Sequence, residues 1–342
     1  MKKKIKVKRE PSRMDELRAL ADKCNKSLGT AGAVYVGSEH PPFQRVQTGI
    51  LALDYVTGGG LVKGQLVQFT GEESSFKTTA ALISLSTIQR TGGTGTWVAG
   101  EGFDPEWAEK WGVDLDNLML IQANSGDAAM ETAVTLLESK LVDVLTLDSF
   151  QTLGTTREAE GGVDSESYAG GGAPQMWGRV MRRVFAAKSD TAIIGISQVR
   201  SPIGKRGFKG MPPEPEGSGI WALKHWKAMD IRFKKGEPFY EGENEKRKLV
   251  AREYKLRCIK NKTARSERVA SFILRYTDDG PIVDNAETAV RLGTAYGLLE
   301  QSGSWVAGYG KREQSIDKFA AVVRSDPETL AELYADILDI AK

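Results

Sequence analysis

The stretch Gly71-Glu72-Glu73-Ser74-Ser75-Phe76-Lys77-Thr78-Thr79 decides how this chain is read. It follows the apolar run Leu66–Thr70 and opens a helical pattern, Thr78–Gln89. A buried strand, a loop of small residues and a helix beginning at Lys-Thr form the setting in which backbone N–H groups wrap phosphates. The helix N-terminus adds a favourable dipole. In that setting Lys77 reaches the β- and γ-phosphates, and the Thr78 hydroxyl ligates Mg²⁺. The usual pattern has glycine where Phe76 stands, so Phe76 calls for a backbone conformation that tolerates a Cβ. On this segment alone, a surface turn with a chance Lys-Thr stays open.

Three further short apolar runs lie along the chain: Thr96–Ala99, Val144–Leu147 and Ala192–Ile196. Helical stretches separate them at Pro105–Trp111, Asp127–Glu138 and Pro174–Ala187. Apolar strands alternating with helices predict an α/β fold, a mostly parallel twisted sheet flanked by helices, over about 48–277. Each run leads to a polar residue suited to phosphate chemistry: Lys77, Glu101, Asp148 and Gln198. Open parallel sheets bind ligands at the carboxyl ends of their strands. Asp148 is the candidate to hold Mg²⁺, and Glu101 to orient and deprotonate an attacking water. Gln198 is the candidate to donate to a γ-phosphate oxygen and report nucleotide state to the segment after it. Singly, each could be a strand-end polar group facing water.

The flanks are organised differently. Residues 14–28 predict a short amphipathic helix with Gly29 and Gly32 as stops, and 33–47 a connector with Pro41 and Pro42. The expected division is residues 1–40 as N-terminal helix and linker, 41–277 as the core, and 278–342 as a small C-terminal α/β domain. The last carries helical patterns at Ala286–Tyr296, Ser315–Ser325 and Pro327–Ile340. Two irregular segments interrupt the core. Residues 154–173 are rich in Gly, Ser and acids, and 201–219 carry Pro, Gly and basic residues. Long irregular segments within a domain are commonly functional loops.

Composition narrows the function classes. Of 342 residues, 40% are hydrophobic and 27% charged, which suffices for ordinary globular cores. No run approaches the roughly 18 apolar residues of a membrane span, and no apolar stretch follows the basic start MKKKIKVKRE. Cys24 and Cys258 match no metal or redox spacing, and two histidines, His40 and His225, argue against zinc. A reducing, cytoplasmic setting follows as the expectation. The net charge of +2 conceals basic segments: seven Lys/Arg against one acid in 1–13, and nineteen against nine in 200–268. Such segments attract phosphates, although a solvated basic face reads the same.

Taken together these residues resemble the RecA/UvsX family of DNA strand-exchange recombinases. The resemblance rests on Thr48–Asp54, Gly58–Leu61 and Lys63-Gly64, with the loop 71–79 following in register. It continues through Asp104-Pro105, Lys110–Asp114, Leu147-Asp148-Ser149, Ser197–Arg200 and Lys260-Asn261-Lys262. Phe76 is similar to the phage UvsX branch. The resemblance implies a RecA-like P-loop ATPase core that uses ATP and Mg²⁺. It implies that Trp107 stacks on adenine, that Asp104 contacts the base edge and that Tyr276 lies near the base. Lys260 and Lys262 would reach the ATP of a neighbouring subunit, as an arginine finger does; on sequence alone they read equally as a surface pair.

The resemblance further implies two DNA-binding loops, about 157–173 and 200–219. Arg179, Arg182 and Arg183 follow the first, and Arg200, Lys205, Arg206, Phe208 and Lys209 belong to the second. Basic and aromatic residues on a flexible backbone suit phosphates and base faces rather than base edges. The implied partners are single-stranded DNA, homologous duplex DNA and other copies of the chain in a helical filament, with no membrane. Departures are a shorter Glu101 segment, a longer first loop, Gln175 for Arg, His225 for Phe, and no pronounced acidic tail. Two alternatives stay open: another motor on this fold, such as a ring helicase or regulatory ATPase, and a non-hydrolysing DNA-binding mediator, which Phe76 keeps in play.

Overall fold

In the parallel strands of this protein successive residues enter opposite cores, as a period of two requires. The computed structural model describes residues 11–29, 33–154, 172–187, 189–200, 216–217, 221–242 and 247–342. They fall into two units that meet in sequence between Phe43 and Gln44.

The first unit is built on helix α1 (Arg13–Leu28). Ser12 and Asp15 form a reciprocal capping box, and Gly29 ends the helix in the left-handed conformation at φ 60°. The Asn25 side chain holds both the N–H and the carbonyl of Val34 at 2.8 Å, which fixes the returning connector. No residue of α1 is buried within its unit, and Met14, Leu17 and Leu20 are exposed. A lone helix of this length is marginal in water.

The second unit begins with strand β1 (Arg45–Val46), the wholly buried helix α2 (Leu51–Thr57) and strand β2 (Leu61–Val62), which pairs with β1. Then come β3 (Leu66–Gly71), α3 (Lys77–Gln89), β4 (Gly95–Ala99), α4 (Pro105–Lys110), β5 (Leu118–Ile121), α5 (Gly126–Glu138), β6 (Val144–Asp148), α6 (Gly172–Ala186) and β7 (Ala192–Arg200). After the short β8 (Glu216–Gly217) and α7 (Trp221–Trp226) follow β9 (Lys227–Glu241), β10 (Lys248–Asn261), β11 (Val269–Thr277) and β12 (Gly280–Val283). The chain continues with α8 (Asn285–Ala295), a meander of β13 (Glu300–Ser302), β14 (Trp305–Gly308) and β15 (Lys311–Gln314), then α9 (Ile316–Arg324) and α10 (Pro327–Ala341).

The main sheet runs β12-β11-β10-β9-β3-β7-β6-β4-β5, with β8 beside β7. From β9 to β5 the pairing is parallel, and from β9 to β12 it is antiparallel. The fold is therefore α/β with a mixed, mostly parallel sheet. Strand–helix alternation, expected as far as residue 277, stops at α7, where long antiparallel strands take over. Their pattern explains the difference. In β10 Tyr254, Leu256 and Cys258 are buried while the intervening Lys255 and Arg257 are exposed. A sheet with a solvated face alternates, whereas a sheet covered on both faces reads as unbroken apolar runs.

Cores form on both faces of the sheet. Val67, Trp97, Val144 and Ile194 join one core with α2, α3 and the C-terminal helices. Leu66, Val98, Leu145 and Ile193 join the other with Met130 of α5 and Trp177 and Met181 of α6. Residues 278–342 enter the first core through Phe319, Val323, Leu333 and Ile337. A polar tie joins them to it as well: Asp54 of α2 is fully buried and accepts from Thr48 N at 2.9 Å and from Tyr334 Oη of α10 at 2.5 Å.

Burial pushes the Asp54 carboxyl up to about 6, against the opposing effect of those hydrogen bonds. The unfolded value is about 3.9, so the folded protein holds a proton that the unfolded chain releases. Stability from this group is full below about pH 4 and is lost as pH rises through about 6. Asp54→Asn protein is therefore expected to melt with a flatter pH dependence than wild type between pH 4 and 7, measured calorimetrically. A melting-temperature difference between the two that does not change with pH would refute the assignment.

Candidate nucleotide-binding site

The order β3-β7-β6-β4 sets the carboxyl ends of four parallel strands side by side. Register aligns Gly71 with Gln198 and Ala99 with Asp148. Lys77 follows the β3 end by six residues, and Glu101 follows the β4 end by two. Residues distant in sequence thus converge on one edge.

Their contacts are direct. Thr78 Oγ1 donates to Asp148 Oδ2 at 3.0 Å, and Ser149 Oγ donates to Glu101 Oε1 at 2.8 Å. The N–H groups of Gly100 and Glu101 donate to the Asp148 carbonyl at 2.7 and 3.1 Å, and the Asp148–Ser149 peptide is cis. Lys77 is buried; its ammonium folds onto the loop, donating to Glu72 O at 2.6 Å and Ser75 Oγ at 3.3 Å. Gln198 is half-buried, and its carbonyl accepts from Gln151 Nε2 at 3.1 Å. Gly71 has no substitute, because a Cβ there would lie 2.5 Å from both Phe233 O and Ser75 Oγ.

Electrostatics follow from burial. Asp148 is pushed up to about 6 by desolvation, raised further by Glu101 and lowered by the Thr78 hydrogen bond and by Lys77. The Lys77 ammonium is held below its ordinary value by desolvation, with Asp148, Glu101, Glu73 and Glu72 opposing. A buried cation at the loop, beside the hydroxyl of Thr78 and the acid Asp148, suits a triphosphate accompanied by a hard cation. Among the described residues no cluster of three or more His, Cys, Asp or Glu forms a protein metal cage. Thr78 Oγ1 and Asp148 Oδ2 are the side-chain oxygens present for a Mg²⁺ ion, which takes one or two protein oxygens and completes its shell with phosphates and water.

A cavity of about 250 Å³ opens beside the loop. It runs from residues 74–79 to Trp107, Trp111, Tyr254 and Tyr276. Trp107 and Tyr276 were expected there; Trp111 and Tyr254 were not. Trp111 follows Trp107 by four residues at the end of α4, a spacing that shares a helix face. Tyr254 carried no comparable signal, since only the pairing of β10 with β11 brings it in. Asp104 does not line the cavity: it caps α4, accepting from Trp107 N at 3.1 Å.

Phe76 departs from expectation. The backbone keeps the left-handed conformation, φ 80° and ψ 8°, and the side chain adapts instead. That conformation costs a non-glycine residue about 1–2 kcal/mol. The ring is buried against Tyr254, Phe272 and Trp111, with centroids 4.9, 5.2 and 5.7 Å away, and aromatic burial of this kind offsets such a cost.

The other candidates lie elsewhere. Lys260 and Lys262, at and just past the end of β10, do not line this chain's cavity. They donate to the carbonyls of Lys224 and His225 in the last turn of α7, at 2.6 and 2.9 Å. Desolvation, with the charges of Lys262 and Lys227, lowers the Lys260 ammonium. Arg179 and Arg182 are exposed on α6, while Arg183 pairs with Glu131. Arg200 is the last residue of β7. Lys205, Arg206, Phe208 and Lys209, and nearly all of the two expected DNA loops, lie outside the described residues.

Comparison with known proteins agrees with this geometry. The model of the RecA N-terminal domain matches residues 15–280. Protein RecA of Arthrobacter sp. (strain FB24) is 32% identical over 333 residues, covering 94% of this chain and 90% of that protein. Protein RecA of Frankia alni is 31% identical over 315 residues, covering 90% and 87%. Protein RecA of Francisella tularensis subsp. novicida is 30% identical over 336 residues, covering 96% and 90%. The chain belongs to the RecA family, the ATP-dependent recombinases of DNA recombination and repair.

Proposed function

We propose that this recombinase binds ATP with Mg²⁺ at the edge formed by Lys77, Thr78, Asp148 and Glu101, and polymerises on single-stranded DNA as a helical filament. In that form it pairs the strand with homologous duplex DNA, in the cytoplasm. The observation that carries the reading is the convergence of those four residues beside an aromatic cavity.

In this reading the amides of residues 71–76 and the Lys77 ammonium hold the phosphates, Lys77 leaving the Glu72 carbonyl for them. Thr78 and Asp148 hold the cation, which neutralises charge developing on the phosphates. Glu101, held by Ser149, orients the attacking water and takes its proton. Gln198 meets a γ-phosphate oxygen from the adjacent strand. Trp107 and Tyr276 flank the base, with Asp104 near its edge. Lys260 and Lys262 reach the nucleotide of the next subunit. Arg179, Arg182, Arg200, Lys205, Arg206, Phe208 and Lys209 serve DNA. Residues 1–40 supply a contact between copies, which gives the unburied apolar side chains of α1 a surface to cover. Residues 41–277 form the ATPase core and 278–342 a small C-terminal element.

The test is ATP hydrolysis with and without single-stranded DNA at 50 and 200 mM salt. Turnover is expected to need the DNA and to lose its stimulation at the higher salt, as counterion release requires. Hydrolysis indifferent to DNA at both salts would overturn the reading. Closed rings instead of open helices in electron micrographs would favour the motor.

A further inference from the structure

Phe76 combines two observations that do not ordinarily occur together. Its backbone sits in the left-handed region, where a side chain is strained and glycine is not. Its ring is nonetheless buried, among Tyr254, Phe272 and Trp111. A strained residue persists where its surroundings over-determine it. Here the surroundings are the ring's three neighbours, contributed by β10, β11 and the end of α4.

Two of those neighbours have a second face. Trp111 and Tyr254 form the wall of the cavity that starts at the loop, whereas Phe272 lies behind and does not line it. The Trp111 indole N–H is buried and has no hydrogen-bond partner among the described residues. Phe76 is therefore the common piece between the phosphate loop and the wall beside it.

We propose that Phe76 is a positioning residue: its ring clamps the phosphate loop in the left-handed turn and ties the loop's shape to the aromatic wall that faces the nucleoside. This deepens the nucleotide reading above and rests on it. The loop is held open to phosphates by packing at Phe76, where a glycine loop would rely on conformational freedom. Loosening the clamp from behind then weakens phosphate binding even where the substituted residue touches no ligand.

The experiment titrates the full chain calorimetrically with ATP and with inorganic tripolyphosphate, both with Mg²⁺. Variants are Phe76→Ala, Phe76→Gly, Phe76→Leu and Phe272→Leu, each with its melting temperature. Alanine keeps the left-handed strain without the clamp, while glycine loses the clamp and the strain together. Phe76→Ala is expected to bind tripolyphosphate about tenfold more weakly than wild type, with Phe76→Gly between the two. Phe76→Leu, which refills the cage, should recover to within about threefold. Phe272→Leu should weaken binding by about threefold although it lines no part of the cavity. A ring that merely fills space predicts alanine no worse than glycine and Phe272→Leu unchanged, and that pattern would overturn the proposal. If the smaller variants fail to fold, Phe76→Leu and Phe272→Leu decide it alone. Wild-type protein that bound neither ligand would remove the nucleotide reading and the clamp together, whereas wild-type binding matched by every variant would remove the clamp only.

Discussion

Lys77→Ala protein is expected to lose ATP turnover by about 10²–10³-fold, the scale associated with removing one preorganised charge contact to a transition state. The argument starts from the site's charge balance. Asp148, Glu101, Glu73 and Glu72 all act on Lys77. Without the ammonium those carboxylates face a triphosphate with no protein cation in the loop. The fold should survive, because among the described residues the Lys77 ammonium bonds only loop atoms, Glu72 O and Ser75 Oγ, and water can replace it there. Phosphate release, measured with and without single-stranded DNA and set beside the melting temperature, separates the two effects. Turnover within twofold of wild type at unchanged stability would remove Lys77 from its assigned role.

Asp284→Ala is expected to cost about 3 kcal/mol of stability, the lower end of the range for breaking a buried ion pair. The Asp284 side chain is 1% exposed. It accepts from Arg275 Nε and Arg324 Nη2, both at 2.5 Å, and caps α8 through Glu287 N at 3.0 Å. Burial by itself would raise this carboxyl, but the bonds from Arg275 and Arg324 and from Glu287 N hold it below the ordinary range. Its contribution is therefore present above the unfolded value of about 4 and is lost as pH falls through the lower folded value. Alanine leaves two guanidinium groups with Glu287 as the carboxylate that remains beside Arg275, and removes the cap besides. The lower end applies because both arginines are more than a third exposed, so water screens part of the loss. Denaturant melts of the two proteins give the difference directly; a loss below 1 kcal/mol would show that water replaces the carboxylate at little cost.

The parallel half of the sheet was legible because both of its faces are covered. Leu66–Thr70 and Val144–Leu147 are buried along their whole length for that reason and read as mostly apolar, with Lys77 seven residues past the first and Asp148 directly after the second. The antiparallel half was not. In β10 the exposed Lys255 and Arg257 interrupt the buried Leu256 and Cys258, which dilutes any apolar run. The Phe76 cage was hidden for a related cause. Tyr254 and Phe272 come together only through the pairing of β10 with β11, and nothing in residues 71–79 points to either. Lys260 and Lys262 stand at a strand end where a short helix follows another segment, so their bonds to α7 depend on tertiary placement alone.

The far end of α10 is a lid on the opposite end of the chain's core. Ala341 is buried, its carbonyl is taken by the Arg268 guanidinium, and Gly58 lies so close that a methyl group there would press on that same carbonyl. Shortening the polypeptide by one helical turn is consequently a change to the interior around α2. Changes in this last turn belong with cavity-forming substitutions.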